Sequence, residues 1–419
     1  MSGFPHDVHA LVVEHLASWG LRRFTTDAAY FRWQRERLSS SQLTQLQQMA
    51  AQRRASGSAE ADRGFYDLAA DPQVLPVLYS QRYEYYSALG PLLAERIGSA
   101  KTVVDVGCGV GLLTTYLARC RPDVQFLGVD RSAHSLESAH EQSQRLGVGN
   151  IEWRCSDLQT DAAPFRVNGP DTPDLMIASH CLFQAEQELG IPSRTWRTFE
   201  RDLDPVAQAP FEERTGLGEK LNHVVSALSP DGRLLLFEKA RLLSRRIPFQ
   251  RALAARGLRL RDQPIPLRYQ EIEEVTEDGP LYHLQRVSQS ETQLIRTVPI
   301  PWNEAPEEEA GDLFLLVHAI LERSDCKGET ASTKAPQPLF TCQTAAAQAV
   351  WEALPDRLPT QSEERVGGAG RVAYVELGQV RGFCYLYCAN TYDQRQLVIM
   401  REHHQPFLQT SYQEIIGSL

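Results

Sequence analysis

The stretch "VVDVGCGVGLLTTYLA", Val103 to Ala118, places three glycines at Gly107, Gly109 and Gly111, after an apolar run and ahead of a helical pattern. A strand-to-helix turn built this way lets backbone approach a ligand more closely than any side chain would permit. A dinucleotide fingerprint is G-x-G-x-x-G, its third glycine serving helix-to-strand packing; here that position is Leu112. A phosphate-binding P-loop needs Gly-Lys followed by Ser or Thr at the helix start, and no lysine stands there. The pattern therefore favours a nucleotide-like ligand without a pyrophosphate. Three acids accompany the turn: Asp105 two residues ahead of it, Asp130 closing the next apolar run "FLGVD", and Asp157 in "CSDL" after the third. A carboxylate at the end of a second strand can accept both hydroxyls of a ribose. The same residues also allow Asp105 as a structural cap and Asp130 as the N-cap of the helix opening at "RSAHS".

Taken together, G-x-G-x-G, Asp105, Asp130 and Asp157 resemble the class I S-adenosylmethionine-dependent methyltransferases, over about Tyr79 to Ser288. The resemblance implies an α/β fold with a doubly wound, seven-stranded Rossmann-like sheet. It implies S-adenosyl-L-methionine as cofactor, with Asp105, Gly107, Gly109 and Gly111 at the turn and Asp130 and Arg131 at the ribose. Ser156, Asp157 and Leu158 fall beside the adenine, and Ser179 at the end of the fourth strand.

Ligands of open α/β sheets sit beyond the carboxyl ends of the strands, so the residues after strands four and five face the acceptor. Strand four ends in "ASHCLFQ", offering Ser179, His180 and Gln184. His180 is the expected general base, since its unperturbed pKa lies near neutrality; packing against the cofactor is the alternative. Glu238, closing strand five, is the second catalytic candidate, and pairing with Lys239 is its alternative. No Asn/Asp-Pro-Pro-aromatic motif follows strand four, which argues against methylation of a base amine in nucleic acid. In "LYSQRYEYY", which precedes the first strand, Tyr79, Arg82, Tyr83 and Tyr86 are expected at the acceptor pocket. No metal site is expected: Cys384 and Cys388, four apart on a strand, are roughly 13 Å from each other and read as packing residues.

The elements that must hold these residues follow from periodicity. Residues 1–78 read as an N-terminal helical region, with "RASGSAEADRG" as a linker or exposed loop. The methyltransferase domain is expected over 79–290, with strands at "TVVDVG", "VQFLGVD", "NIEWRCSDL", "PDLMIASHCLF" and "RLLLFEKA" and two antiparallel runs after the fifth. An insertion over about 185–218, carrying Arg194, Arg197, Arg201, Glu212 and Glu213, reads as a lid or specificity loop. Residues 291–338 form a connector, and 339–419 a small C-terminal α+β module able to pair with a partner protein or a second copy.

Composition bounds the class. The chain has 419 residues, 42% hydrophobic and 23% charged, too long for one small core and ordinary for a globular protein. Its longest apolar run, "LFLLV", is far short of the roughly 20 residues that cross a bilayer, and no membrane span is expected. The N-terminus lacks a secretory pattern and the eight cysteines lack a disulfide spacing, which points to a cytoplasmic protein. A net charge of −10 argues against nucleic acid as partner, with a local exception at Arg22, Arg23, Arg32, Arg35 and Arg37. The expected acceptor is a small molecule or a protein side chain. A non-catalytic scaffold binding the same cofactor and an RNA methyltransferase are the alternatives.

Overall fold

The structure is a computed structural model that describes residues 7–56, 58–158, 165, 172–182, 190–192, 205–287, 320–321, 338–366 and 372–419. It divides into two compact units. The first comprises Met1–Glu188, Glu212–Ala240 and Arg251–Ile300, and the second Leu189–Phe211, Arg241–Gln250 and Pro301–Leu419.

The first unit opens with helices α1 (Val8–Ser18), α2 (Asp27–Arg37), α3 (Ser40–Ser56), α4 (Ala59–Ala69), α5 (Leu75–Ser80) and α6 (Tyr83–Ile97). Side-chain caps fix several starts: Asp7 accepts from His9 N, Thr26 from Ala29 N and Ser58 from Ala61 N. The last of these corrects the expected linker at Arg54 to Gly64. Ser58 caps a helix whose first turn carries Glu60 and Asp62, and acids there complement the helix dipole.

Strands and helices then alternate: β1 (Thr102–Val106), α7 (Leu112–Cys120), β2 (Gln125–Asp130), α8 (Ala133–Arg145), β3 (Ile151–Cys155) and β4 (Leu175–Ser179). After them come α9 (Pro205–Thr215), α10 (Leu217–Ala227), β5 (Arg233–Phe237), α11 (Leu243–Ala255), β6 (Leu258–Leu260), β7 (Ile265–Glu271) and β8 (Glu274–Arg286). The chain passes between the two units within α9 and within α11. The sheet runs β3-β2-β1-β4-β5-β8-β6, with β3 to β5 parallel and β8 antiparallel to both β5 and β6. Eight strands stand where seven were expected. The long β8 pairs with β7 through its first half and with β5 and β6 through its second, so the run "LRLRDQPIPLRYQEI" divides into two strands. Strand order reverses between β1 and β4, which opens a crevice at their carboxyl ends.

Burial follows the sequence pattern. β1, β2, β4 and β5 are almost wholly buried, as parallel strands covered on both faces must be. Val103, Phe126, Leu175, Leu235 and Phe237 share one core with Leu89, Leu93 and Ile97 of α6 and with Val12 and Leu16 of α1.

The second unit carries β9 (Phe340–Gln343), α12 (Thr344–Ala353), β10 (Leu358–Val366), β11 (Val372–Val380), β12 (Phe383–Asn390), β13 (Arg395–Arg401) and α13 (Gln405–Ser418). Its antiparallel sheet is ordered β10-β11-β12-β13-β9. One face packs Val375, Leu377, Leu386 and Val398 with Leu408, Tyr412 and Ile415 of α13; the other packs Tyr385, Tyr387 and Leu397 with Ala347 and Trp351 of α12. Cys384 and Cys388 lie in the first of these layers as free, buried thiols. The Gly-rich stretch Gly367 to Gly370 lies outside the described residues, as does "LFLLV". No helix among the described residues is long and apolar enough to cross a membrane.

Candidate active site

The turn after β1 is shaped by what lies beneath it. Gly107 has φ +67, and a Cβ there would stand 2.3 Å from the Cβ of Cys181. Gly111 has φ +75, and its Cβ would stand 2.4 Å from the Trp153 ring and 2.9 Å from the Ala139 Cβ. Gly111 thus provides the close helix-to-strand approach that a dinucleotide turn draws from a later glycine.

Four of the turn's amides are committed inward. Gly107 N and Cys108 N donate to Val129 O at 2.8 and 3.1 Å, Gly111 N to Cys108 O at 2.9 Å, and Gly109 N to Asp130 Oδ2 at 2.8 Å. A phosphate cradle needs such N–H groups free to face the ligand. This turn fits a ligand recognised by its hydroxyls and its close approach to backbone. Asp130 is half-buried at the end of β2; Oδ1 accepts from Ser132 N at 2.9 Å, and burial pushes its pKa up. Each carboxylate oxygen accepts one of these bonds, and a carboxylate has about four acceptor positions, so two hydroxyl donors fit. The N-cap of α8 is Ser132, which accepts from Ser135 N at 3.0 Å. Asp105 lies below the turn, buried and bonded by Thr114 Oγ1, with burial raising its pKa to about 7.

Around this acid, Ser156 N donates to Asp130 O at 2.9 Å, and Ser156 is buried beside the half-buried Asp157 and Leu158. Arg131 pairs with Asp62 of α4, which also pairs with Arg53, and Ser132 Oγ donates to Asp67 Oδ1 at 2.6 Å. Helix α4, read from sequence partly as linker, is therefore tied to the residues that follow Asp130. Tyr79 of α5 stacks on Tyr86 of α6, ring centroids 6.1 Å apart, and its Oη lies 3.9 Å from where a Cβ on Gly109 would be.

Beyond β4 stands a buried polar cluster. His180 is in the left-handed region at φ 54, an uncommon place for a non-glycine residue and a conformation that clusters at functional sites. Its ring stacks on Tyr85 with centroids 5.3 Å apart, and Tyr85 Oη hydrogen-bonds Ser179 Oγ. Arg82 Nη2 donates to His180 Nδ1 at 3.2 Å and to Tyr269 Oη at 2.9 Å, and lies 3.3 Å from Asp278 Oδ2; its Nε lies 3.2 Å from Glu271. His180 Nε2 faces Asp278 Oδ2 at 3.1 Å. Because a guanidinium only donates, Nδ1 is the acceptor and the proton sits on Nε2. Burial, then the charge of Arg82, pushes the His180 pKa down to about 4, so the ring is neutral near pH 7. Burial alone raises Asp278, but His180, Tyr269 and Arg82 outweigh it and hold that carboxyl below the usual range.

Glu238 is buried at the end of β5, where Oε1 accepts from Cys181 N and Leu182 N at 3.0 and 2.8 Å. Its carboxylate addresses the turn after β4. Of the acceptor candidates, the structure brings Arg82 to His180 and Tyr79 to the glycine turn, with Tyr86 stacked on Tyr79. Tyr83 is half-buried, with Glu84 and Arg23 as its charged neighbours. Gln184, Arg194, Arg197 and Arg201 lie outside the described residues. Tyr85, Tyr269, Glu271 and Asp278 escaped the sequence reading. The "DG" of Asp278–Gly279 looks like an ordinary turn signal, and only the β7–β8 pairing carries it to the cluster.

A family model described as a methyltransferase domain matches residues 97–244. Release factor glutamine methyltransferase of Enterococcus faecalis is 29% identical over 136 residues, 32% of this chain and 44% of that protein. Trans-aconitate 2-methyltransferase of Azoarcus sp. is 40% identical over 70 residues, 16% of this chain and 26% of that protein. The solved structure of an O-methyltransferase family protein from Burkholderia thailandensis aligns at 15% identity with a TM-score of 0.38, covering 67% of this chain and 73% of that one. This chain spans between 18 and 44% of the length of the curated relatives it matches. Residues 97–244 thus match a methyltransferase domain, and the parallel sheet of order 3-2-1-4-5 that carries the glycine turn is similar to that of the class I methyltransferases, whose cofactor is S-adenosylmethionine.

Proposed function

We propose that this protein transfers a methyl group from S-adenosyl-L-methionine to a small molecule or a protein side chain, within a transfer domain of residues 79–290. The observation that carries the reading is the turn itself, in which the amides of Gly107, Cys108, Gly109 and Gly111 are satisfied inside the protein while Asp130 keeps acceptor capacity at its mouth. When bound, the cofactor supplies an electrophilic methyl carbon on a sulfonium. Gly107, Gly109 and Gly111 give it close backbone approach above the buried Asp105, Asp130 accepts the ribose hydroxyls beside Arg131, and Ser156, Asp157 and Leu158 border the adenine. Ser179 lies toward the acceptor, and Tyr79, Arg82, Tyr83 and Tyr86 are the acceptor-side residues of the proposal.

Alignment of acceptor and methyl group contributes most of the rate in such an in-line displacement. His180 is the proposed proton acceptor, at Nδ1, for acceptors that must lose a proton. Arg82 occupies that lone pair, so His180 acts as a base once Arg82 turns toward the acceptor. Glu238 serves the reaction by holding the turn after β4. Calorimetry with S-adenosylhomocysteine tests the cofactor assignment. Saturable binding by the wild type and a loss of about 10²-fold or more in Asp130→Ala are expected, because hydrogen bonds to a charged group are worth about 1.5–3 kcal/mol each. Absence of binding by the wild type overturns the reading. Mass spectrometry of extract incubated with isotopically labelled cofactor then identifies the acceptor.

A further inference from the structure

Helix α10 presents Lys220 and His223, three residues apart and therefore on one face, to two different strand-end turns. Lys220 is 8% exposed, and its Nζ donates to Cys181 O at 3.2 Å in the turn after β4. His223 Nδ1 lies 2.5 Å from Leu158 O in the segment after β3; a carbonyl only accepts, so Nδ1 carries the proton. The peptide groups of Cys181 are thereby held at both ends, since Glu238 accepts its N–H while Lys220 donates to its C=O. Burial pushes the Lys220 pKa down, with the Glu238 and Asp157 carboxylates acting in the opposite direction. A buried ammonium is costly to desolvate, and a residue serving only as helix surface would not keep one. The helix bearing both donors starts sharply at Gly216, φ 64, and Arg256 ties its other side through Asn222 Oδ1 at 2.7 Å and Gly218 O at 3.2 Å.

We propose that Lys220 and His223 are positioning residues that set the spacing of the post-β3 and post-β4 turns, and so the width of the slot that takes the adenine end of the cofactor. This rests on the cofactor reading above. Neither residue lies in a recognisable motif, and their action is through the two carbonyls they hold.

The test uses the full chain with S-adenosylhomocysteine and methylthioadenosine as probes, both of which carry the adenine. Lys220→Met and His223→Phe are each expected to weaken both probes about tenfold at unchanged Tm, with Lys220→Arg restoring affinity. The double variant should lose the product of the two factors, because the grips act on separate turns. Wild-type affinity in both single variants, or a fall in Tm with affinity unchanged, overturns the proposal. Amide hydrogen exchange of the ligand-free protein separates this inference from the cofactor reading. Faster exchange at Cys181 and Leu182 in Lys220→Met supports the grip even where the wild type binds neither probe, and unchanged exchange there overturns it.

Discussion

Replacing Gly107 by alanine tests whether the glycine turn is shaped by its floor as well as by its backbone. Two separable penalties meet at this position. The φ of +67 imposes a left-handed conformation costing an alanine about 1–2 kcal/mol. The new Cβ would also lie 2.3 Å from the Cys181 Cβ and 3.0 Å from its Sγ, well inside the ~3.5–4.0 Å separation of carbon atoms in contact. Relief requires the post-β4 turn to move, although Glu238 and Lys220 hold it, and overpacking of this sort costs about 1–3 kcal/mol. Gly107→Ala should therefore lose about 2–5 kcal/mol. Gly109 is the control, because φ is again positive at 55 but the nearest atom to its Cβ is Tyr79 Oη at 3.9 Å. Gly109→Ala should lose only the backbone share, about 1–2 kcal/mol. Urea unfolding followed by tryptophan fluorescence reads both as midpoint shifts at constant slope. In a double-mutant cycle, Cys181→Gly should recover about 1–3 kcal/mol of the Gly107→Ala loss and nothing of the Gly109→Ala loss. Equal losses at the two glycines, or no coupling to Cys181, would refute the steric account.

Two further outcomes follow from the charges. Arg82→Met removes the guanidinium that depresses His180 and pairs with Asp278; the His180 pKa should rise from about 4 in a histidine NMR titration, and stability should fall by about 3–5 kcal/mol. An unchanged His180 titration would show that burial alone sets it. His15 and His180, both pushed down to about 4 mainly by burial, are neutral in the folded chain and take up protons first when unfolded. The contribution of these two histidines should therefore be intact above pH 6.5 and drain as pH falls from 6.5 to 4, on the order of 3 kcal/mol for each group. Asp105 has the opposite sign, since its pKa is raised to about 7: its contribution is complete below pH 3.8 and lost as pH rises through 7. Because the two effects overlap with opposite signs between pH 4 and 6.5, denaturation at pH 4.5, 6.5 and 8.5 is compared among the wild type, His15→Gln and Asp105→Asn. An acid limb as steep in His15→Gln as in the wild type would remove His15 from the account.

What the sequence determined by itself was local. Gly107, Gly109 and Gly111, the acid ending β2 and the apolar runs of β1, β2, β4 and β5 are short-range patterns, and they were enough for the fold class and the cofactor family. Local patterns misplaced one feature and missed two others for identifiable reasons. The segment around Ser58 looked like linker because small residues also cap helices. Tyr85 did not stand out from the other tyrosines of its block because the break between α5 and α6 resets the helical phase, and Tyr85 is the ring stacked on His180. The acid at Asp105 was visible, but its inward orientation toward Thr114 was not. Only the tertiary structure decided the acceptor side. Arg82, His180, Tyr269, Glu271 and Asp278 come from α6's approach, the end of β4 and the β7–β8 pair, separated by up to 196 residues, and no periodicity reports contacts across that distance. Lys220 and His223 needed it equally, since a buried lysine is spelled like an exposed one until the turn it grips is folded against it.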